Sequence, residues 1–128
     1  MEGRNLTALI VDDDKVIRMV HGKILNSVGV KIEVAKNGEE AVEIHRLGQS
    51  FDLILMDRDM PVMNGIEATK TLRSMGIHNI IAGVSTRSVE AQIREFMEAG
   101  LDEYLEKPLT LHKLTPIIHK INKTINSD

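Results

Sequence analysis

Leu6-Thr7-Ala8-Leu9-Ile10-Val11-Asp12-Asp13-Asp14 and Phe51-Asp52-Leu53-Ile54-Leu55-Met56-Asp57-Arg58-Asp59 decide the fold. Each is a strand-length apolar run that breaks abruptly into carboxylates. A short run bounded in this way predicts a strand buried on both faces. Outward from these two stretches, apolar runs and helical patterns alternate. Lys15 to Val28 carries Ile17, Val20, Ile24 and Val28 on one helical stripe, and Gly29 closes it. Lys31 to Ala35 reads as the second strand. Asn37 caps a helix through Leu47, with Glu40 placed for a capping box, and Asn64 with Glu67 repeats the pattern for a helix through about Met75. Asn79 to Val84 is the fourth strand. Ser88 caps a helix bearing Val89, Ile93, Phe96 and Met97, stopped by Gly100. Glu103 to Glu106 is a short fifth strand. Thr110 to about Ile125 is the last helix, and Pro116 inside it predicts either a kink or a later start near Thr115-Pro116.

Five strand–helix units in series predict an α/β fold, a parallel sheet with helices on both faces and right-handed connections. The length, 128 residues, suits one domain spanning 1–128. The chain contains one Tyr, two Phe and no Trp, so Ile, Leu, Val, Met and Ala must build the core. It contains no Cys, which excludes a disulfide framework and a thiolate metal site and fits a reducing compartment. A net charge of -3 gives no reason to expect binding to nucleic acid or to an anionic membrane. No apolar run approaches the ~20 residues of a membrane span, and the N-terminus lacks a signal pattern. The expected location is the cytoplasm, the nucleus included. His21, His45, His78, His112 and His119 form no i, i+4 pair and are read as ordinary structural or surface residues.

In doubly wound sheets ligands sit beyond the carboxyl ends of the strands. Asp12, Asp13 and Asp14 follow the first strand, Asp57 and Asp59 the third, Ser85 and Thr86 the fourth, and Lys107-Pro108 the fifth. Singly, each has an ordinary explanation. Asp14 is read as a helix cap, Asp52 as a solvated residue at the start of its strand, and Ser and Lys-Pro as turn chemistry. Their arrival together at four strand ends points to a site. If the first and third strands are neighbours, Asp12, Asp13 and Asp57 converge. Three such carboxylates repel one another and need a cation, and an all-oxygen set selects a hard one, Mg²⁺ or Mn²⁺. Lys107 adds a second positive charge and Ser85 a hydroxyl. This is the equipment for phosphoryl transfer to a carboxylate.

Val11-Asp12-Asp13-Asp14, Leu55-Met56-Asp57-Arg58-Asp59-Met60-Pro61-Val62-Met63-Asn64-Gly65, Val84-Ser85-Thr86 and Tyr104-Leu105-Glu106-Lys107-Pro108 together resemble the receiver domain of two-component response regulators. The resemblance covers essentially the whole chain, in order. It implies the flavodoxin-like receiver fold, a three-layer α/β/α arrangement with a five-stranded parallel sheet in the order 2-1-3-4-5. It implies that Asp57 is the phosphoacceptor, that Asp13 and Asp57 bind Mg²⁺ directly, and that Asp12 acts through a metal-bound water. By the same resemblance the backbone carbonyl of Asp59 is the third protein ligand, Lys107 contacts the phosphoryl group, and Ser85 and Tyr104 are a switch pair. The positions of Asp59 and Arg87 tune phosphoryl lifetime in that family. The implied partner is a histidine phosphotransfer protein or histidine kinase, met by a monomer. Ala35-Lys36-Asn37-Gly38-Glu39-Glu40-Ala41 and Glu106-Lys107-Pro108-Leu109-Thr110 look most like plant response regulators of the small stand-alone type C, or receivers of hybrid kinases. The chain ends at Asp128, so no output domain is expected. A phosphate sink, or phosphohistidine phosphatase, is the expected role.

Four alternatives bear comparison. Asp57-Arg58-Asp59 also resembles the nucleophile motif of haloacid-dehalogenase-like phosphatases, in which, however, the motif precedes the acidic pair. A single-domain messenger that binds an effector while phosphorylated would carry the same residues. A receiver used only for docking would be expected to lack some of them. A flavodoxin is disfavoured, because three aspartates after the first strand would repel a phosphate.

Overall fold

The sheet runs β2-β1-β3-β4-β5, all parallel. The structure is a computed structural model and describes residues 5–86 and 89–125. In chain order the elements are β1 (Thr7–Val11), α1 (Lys15–Asn26), β2 (Lys31–Ala35), α2 (Gly38–Arg46), β3 (Leu53–Asp57), α3 (Gly65–Ser74), β4 (Ile80–Ser85), α4 (Glu90–Glu98), β5 (Glu103–Glu106) and α5 (Leu111–Ile125). The strand order is the one expected, and every expected strand and helix is present.

The period-2 alternation of the strands divides the core between two layers. Ala8, Ile10, Leu53, Leu55, Ala82 and Val84 point to one face, where they meet Leu25 of α1 and Leu114, Ile117 and Ile121 of α5. Leu9, Val11, Ile54, Met56 and Ile81 point to the other, against Ala41 and Val42 of α2, Ala68 and Leu72 of α3, and Phe96 of α4. Because β1 and β3 are covered on both sides, their sequences read as unbroken apolar runs. No helix among the described residues is long and apolar enough to cross a membrane.

Local signals are met with some corrections. Asp14 caps α1, its Oδ1 accepting from Val16 N at 2.8 Å and Ile17 N at 3.2 Å. Asn64 and Glu67 form a complete capping box on α3. Asn37 caps α2 through Glu40 N at 2.9 Å, but the Glu40 carboxylate reaches one residue further back, to Lys36 N at 2.8 Å, so no box closes there. Asp52 is not simply solvated: its Oδ2 accepts from Thr7 N at 2.9 Å, pinning the start of β1 to the strand that follows Asp52. The third strand begins at Leu53 rather than Phe51. Val89 is the N-cap of α4 and supplies no side-chain bond; Ser88, the expected cap, lies outside the described residues. Helix α5 begins at Leu111 and runs through Pro116, so the later start is not adopted. Pro116 is exposed, in the second turn, where water can take the carbonyl that loses its donor.

Candidate functional site

Strand register brings the polar strand ends together. Val11 pairs with Met56, Asp57 with Val84, and Ser85 with Glu106. The ladder continues one step past each strand: Asp12 N donates to Ala35 O at 3.1 Å, Arg58 N to Val84 O at 3.1 Å, and Lys107 N to Ser85 O at 2.8 Å. Asp12, Asp57, Ser85 and Lys107 are therefore placed by backbone hydrogen bonds, not by loop conformation. Asp57 and Ser85 prove to be the last residues of β3 and β4.

Asp12, Asp57 and Ser85 are buried, while Asp13 is exposed at the rim. One carboxylate oxygen each from Asp12, Asp13 and Asp57 lies within 4.8 Å of the others. Lys107 closes the group from β5, donating from Nζ to Asp12 Oδ2 at 2.9 Å and to Asp57 Oδ1 at 3.2 Å. The other Asp12 oxygen accepts from Asp14 N at 2.9 Å, and the Asp12 carbonyl accepts from Arg18 Nη1 at 2.8 Å. Asp12 is thus fixed on three sides.

The charges respond to this crowding. Burial, reinforced by the negative charge of Asp12 and opposed by Lys107, pushes the Asp57 carboxyl up to about 6. Burial alone would lower Lys107, but the hydrogen bond it donates to Asp12 and the charges of both aspartates outweigh it and hold the ammonium above its usual range. A carboxylate that resists ionisation beside a second buried carboxylate is a site short of positive charge. Three convergent oxygens with no sulfur or imidazole donor fit a small hard cation.

The loop after Asp57 is shaped by backbone constraints. A Cβ at Gly65 would collide with the carbonyl oxygen of Asp57, so only glycine lets α3 start this close to the end of β3. Gly65 N also donates to Arg58 O at 2.9 Å. Between them, Val62 takes φ 71 and Met63 N donates to Pro61 O at 2.8 Å, a tight three-residue turn in the left-handed region that is strained for a β-branched residue.

Two expected residues stand further off. Asp59 is exposed and its carboxylate is not part of the three-carboxylate group; it pairs with Arg58 Nη1 at 2.8 Å. Tyr104, on β5, is half-buried and packs against the core layer of α2, α3 and α4. Arg87, the other position with an expected effect on lifetime, lies outside the described residues. Sequence reasoning missed Arg18, Arg58 and His21. His21 is buried, with burial as the main cause of a lowered pKa that the Asp12 charge partly offsets. It lines a cleft of about 320 Å³ with Ile17, Val20, Thr86, Lys107 and Leu109. Its place three residues after Arg18 gave no periodic signal that it would share a cleft with Lys107.

A 2-1-3-4-5 parallel sheet with an acidic triplet and a lysine at its carboxyl edge defines a class, the receivers of phosphoryl signalling. The chain matches the response regulator receiver domain family over residues 8–119 and belongs to it. It is similar to two-component response regulator 24 of Arabidopsis thaliana, 57% identical over 117 residues, which are 91% of this chain and 84% of that one. Among solved structures it resembles the complex of the Saccharomyces cerevisiae histidine phosphotransfer signaling protein Ypd1 with the receiver domain of Ssk1, with TM-score 0.87, 29% identity, and coverage of 97% of this chain and 94% of that chain. It also resembles the receiver domain of the sensor histidine kinase PA1611 from Pseudomonas aeruginosa, solved with a magnesium ion coordinated in the active site cleft (TM-score 0.82, 27% identity, 93% and 99% coverage). The expected family and its plant relationship are therefore found.

Proposed function

We propose that this receiver takes a phosphoryl group from a phosphohistidine onto Asp57 and then loses it to water, acting as a phosphate sink in a multistep phosphorelay. The single observation that carries the reading is the Lys107 ammonium bridging Asp12 and Asp57, with Asp13 alongside. An Asp57 oxygen attacks phosphorus, the P–N bond to the donor imidazole breaks, and the imidazole keeps the electron pair and takes a proton. Lys107 neutralises phosphoryl oxygens as charge builds. Ser85, buried at the adjoining strand end, is the hydroxyl assigned to one of those oxygens, with Tyr104 following it. Asp12, Asp13, Asp57 and the Asp59 backbone carbonyl would hold Mg²⁺, which when bound would supply charge neutralisation for the phosphoryl group. Hydrolysis breaks the acyl phosphate by attack of water, giving inorganic phosphate and the original carboxylate. Support for turnover comes from Asp59, whose carboxylate is engaged by Arg58 instead of joining the acceptor group. The neighbour solved with Ypd1 supports a histidine phosphotransfer protein as donor.

The test mixes a substoichiometric amount of the protein with a labelled phosphohistidine phosphotransfer protein and Mg²⁺. Free phosphate accumulating over many equivalents is expected. One equivalent of long-lived phospho-Asp57 would contradict the sink and favour a messenger.

A further inference from the structure

Arg58 follows the acceptor directly, yet its side chain is only 15% exposed. Its guanidinium has two carboxylate partners on different elements: Asp59 Oδ1 at 2.8 Å and Glu95 Oε1 of α4 at 3.1 Å. Its Nε is buried with no hydrogen-bond partner among the described residues. A buried donor left unsatisfied opposes this placement, so the two ion pairs must hold the head group in position. Asp59 itself has an exposed side chain, free to turn were it not held.

We infer that Arg58 is a positioning residue: anchored to α4 through Glu95, it holds the Asp59 carboxylate out of the acidic acceptor group. The inference rests on the acceptor reading proposed above. Asp12 and Asp57 already share one lysine, with the Asp13 carboxylate beside them. A fourth carboxylate swinging toward them would do two opposite things. It would add negative charge and an oxygen donor near the cation, tightening Mg²⁺. It would also repel the anionic phosphoryl group entering the site. Arg58 prevents both by neutralising Asp59 and fixing it in place. The guanidinium is shielded but both carboxylates are exposed, 57% for Asp59 and 59% for Glu95, so the pairs contribute little to stability and act by fixing where Asp59 sits.

The experiment is a double-mutant cycle on the full chain, with two readouts: Mg²⁺ affinity by calorimetry and the rate of phosphorylation by acetyl phosphate, a small anionic donor. Arg58→Gln is expected to tighten Mg²⁺ and slow phosphorylation, each on the order of threefold to tenfold, the size expected for one unit charge brought close in a half-solvated cleft. In an Asp59→Asn background both effects should vanish. If Arg58→Gln does not fold, Arg58→Lys takes its place: an ammonium cannot grip two carboxylates as a planar guanidinium does, so the same shifts should appear at reduced size. Wild-type values in the Arg58 variant, or shifts that persist undiminished with Asn at 59, would overturn the inference while leaving the acceptor reading intact. A wild-type protein that neither binds Mg²⁺ nor accepts phosphoryl would overturn both.

Discussion

Asp57 carries the tension of the site. In the fold its carboxyl is raised from 3.8 to about 6, chiefly by burial. A group whose pKa rises on folding favours the folded state while protonated. That contribution is complete below about 4, where both states hold the proton equally in excess, and is lost as pH climbs through about 6. Without divalent metal, the folded protein at pH 8 therefore bears an ionised, buried Asp57 beside Asp12. Asp57→Asn removes the charge and keeps the shape. It should raise unfolding stability at pH 8 by roughly 1–3 kcal/mol, with the gain shrinking as pH falls toward 4. Urea unfolding at several pH values with chelator present measures this. Mg²⁺ should stabilise the wild type by mass action and do little for Asp57→Asn, and its hold should weaken as pH falls through about 6 and Asp57 protonates. Equal stability of the two proteins at pH 8 would mean that Asp57 is not strained.

Among elements, the β3–α3 connection is the most constrained. Gly65 is the only residue type that fits against the Asp57 carbonyl. Gly65→Ala must push α3 or the end of β3 aside, and a cost of about 2–3 kcal/mol is expected from overpacking against backbone. Because the displaced atom belongs to Asp57, the proposed acceptor, phosphoryl acceptance should fall more than stability alone explains, as read by phosphorylation rate under conditions where the variant is fully folded. Normal acceptance in a destabilised Gly65→Ala protein would show that the acceptor position tolerates movement. The elements were legible in the sequence because their signals are local: apolar runs for β1 and β3, and the caps Asp14, Asn37 and Asn64. What was not legible depends on distant pairing. Asp52 meets Thr7 across 45 residues of chain, and Arg58 meets Glu95 across 37, so each partner is fixed only once the sheet is assembled. Glu40 missed its box by one residue because Lys36 N, not the cap's own N–H, lies within its reach. The convergence of Asp12, Asp13, Asp57 and Lys107 was legible because the rule that strand carboxyl ends face one edge turns sequence order into proximity.

Across the whole molecule the two ends of the sheet do different work. At the amino end polar groups are spent on fastening. Arg73 donates from Nε to Gly100 O, from Nη1 to the carbonyls of Ile77 and Asn79, and from Nη2 to Asp102, whose carboxylate also accepts from Ile81 N. That one guanidinium ties α3, β4 and the turn before β5 together. At the carboxyl end three carboxylates crowd together, two of them bridged by one lysine. Stability concentrated at one end permits an electrostatically unfavourable arrangement at the other, the pattern expected of a functional site. Helix α1 also carries exposed apolar side chains, Val16, Met19 and Val20, of which Val20 lines the cleft with Lys107. The account stands or falls on whether this end accepts phosphoryl at Asp57. The most direct measurement follows ³²P from a phosphohistidine phosphotransfer protein to the wild type and to Asp57→Asn, with Mg²⁺ and with chelator. Label should move to the wild type only with Mg²⁺, and the Asn variant should stay unlabelled. Stable label on Asp57→Asn, or unchanged transfer to the wild type in chelator, would contradict it.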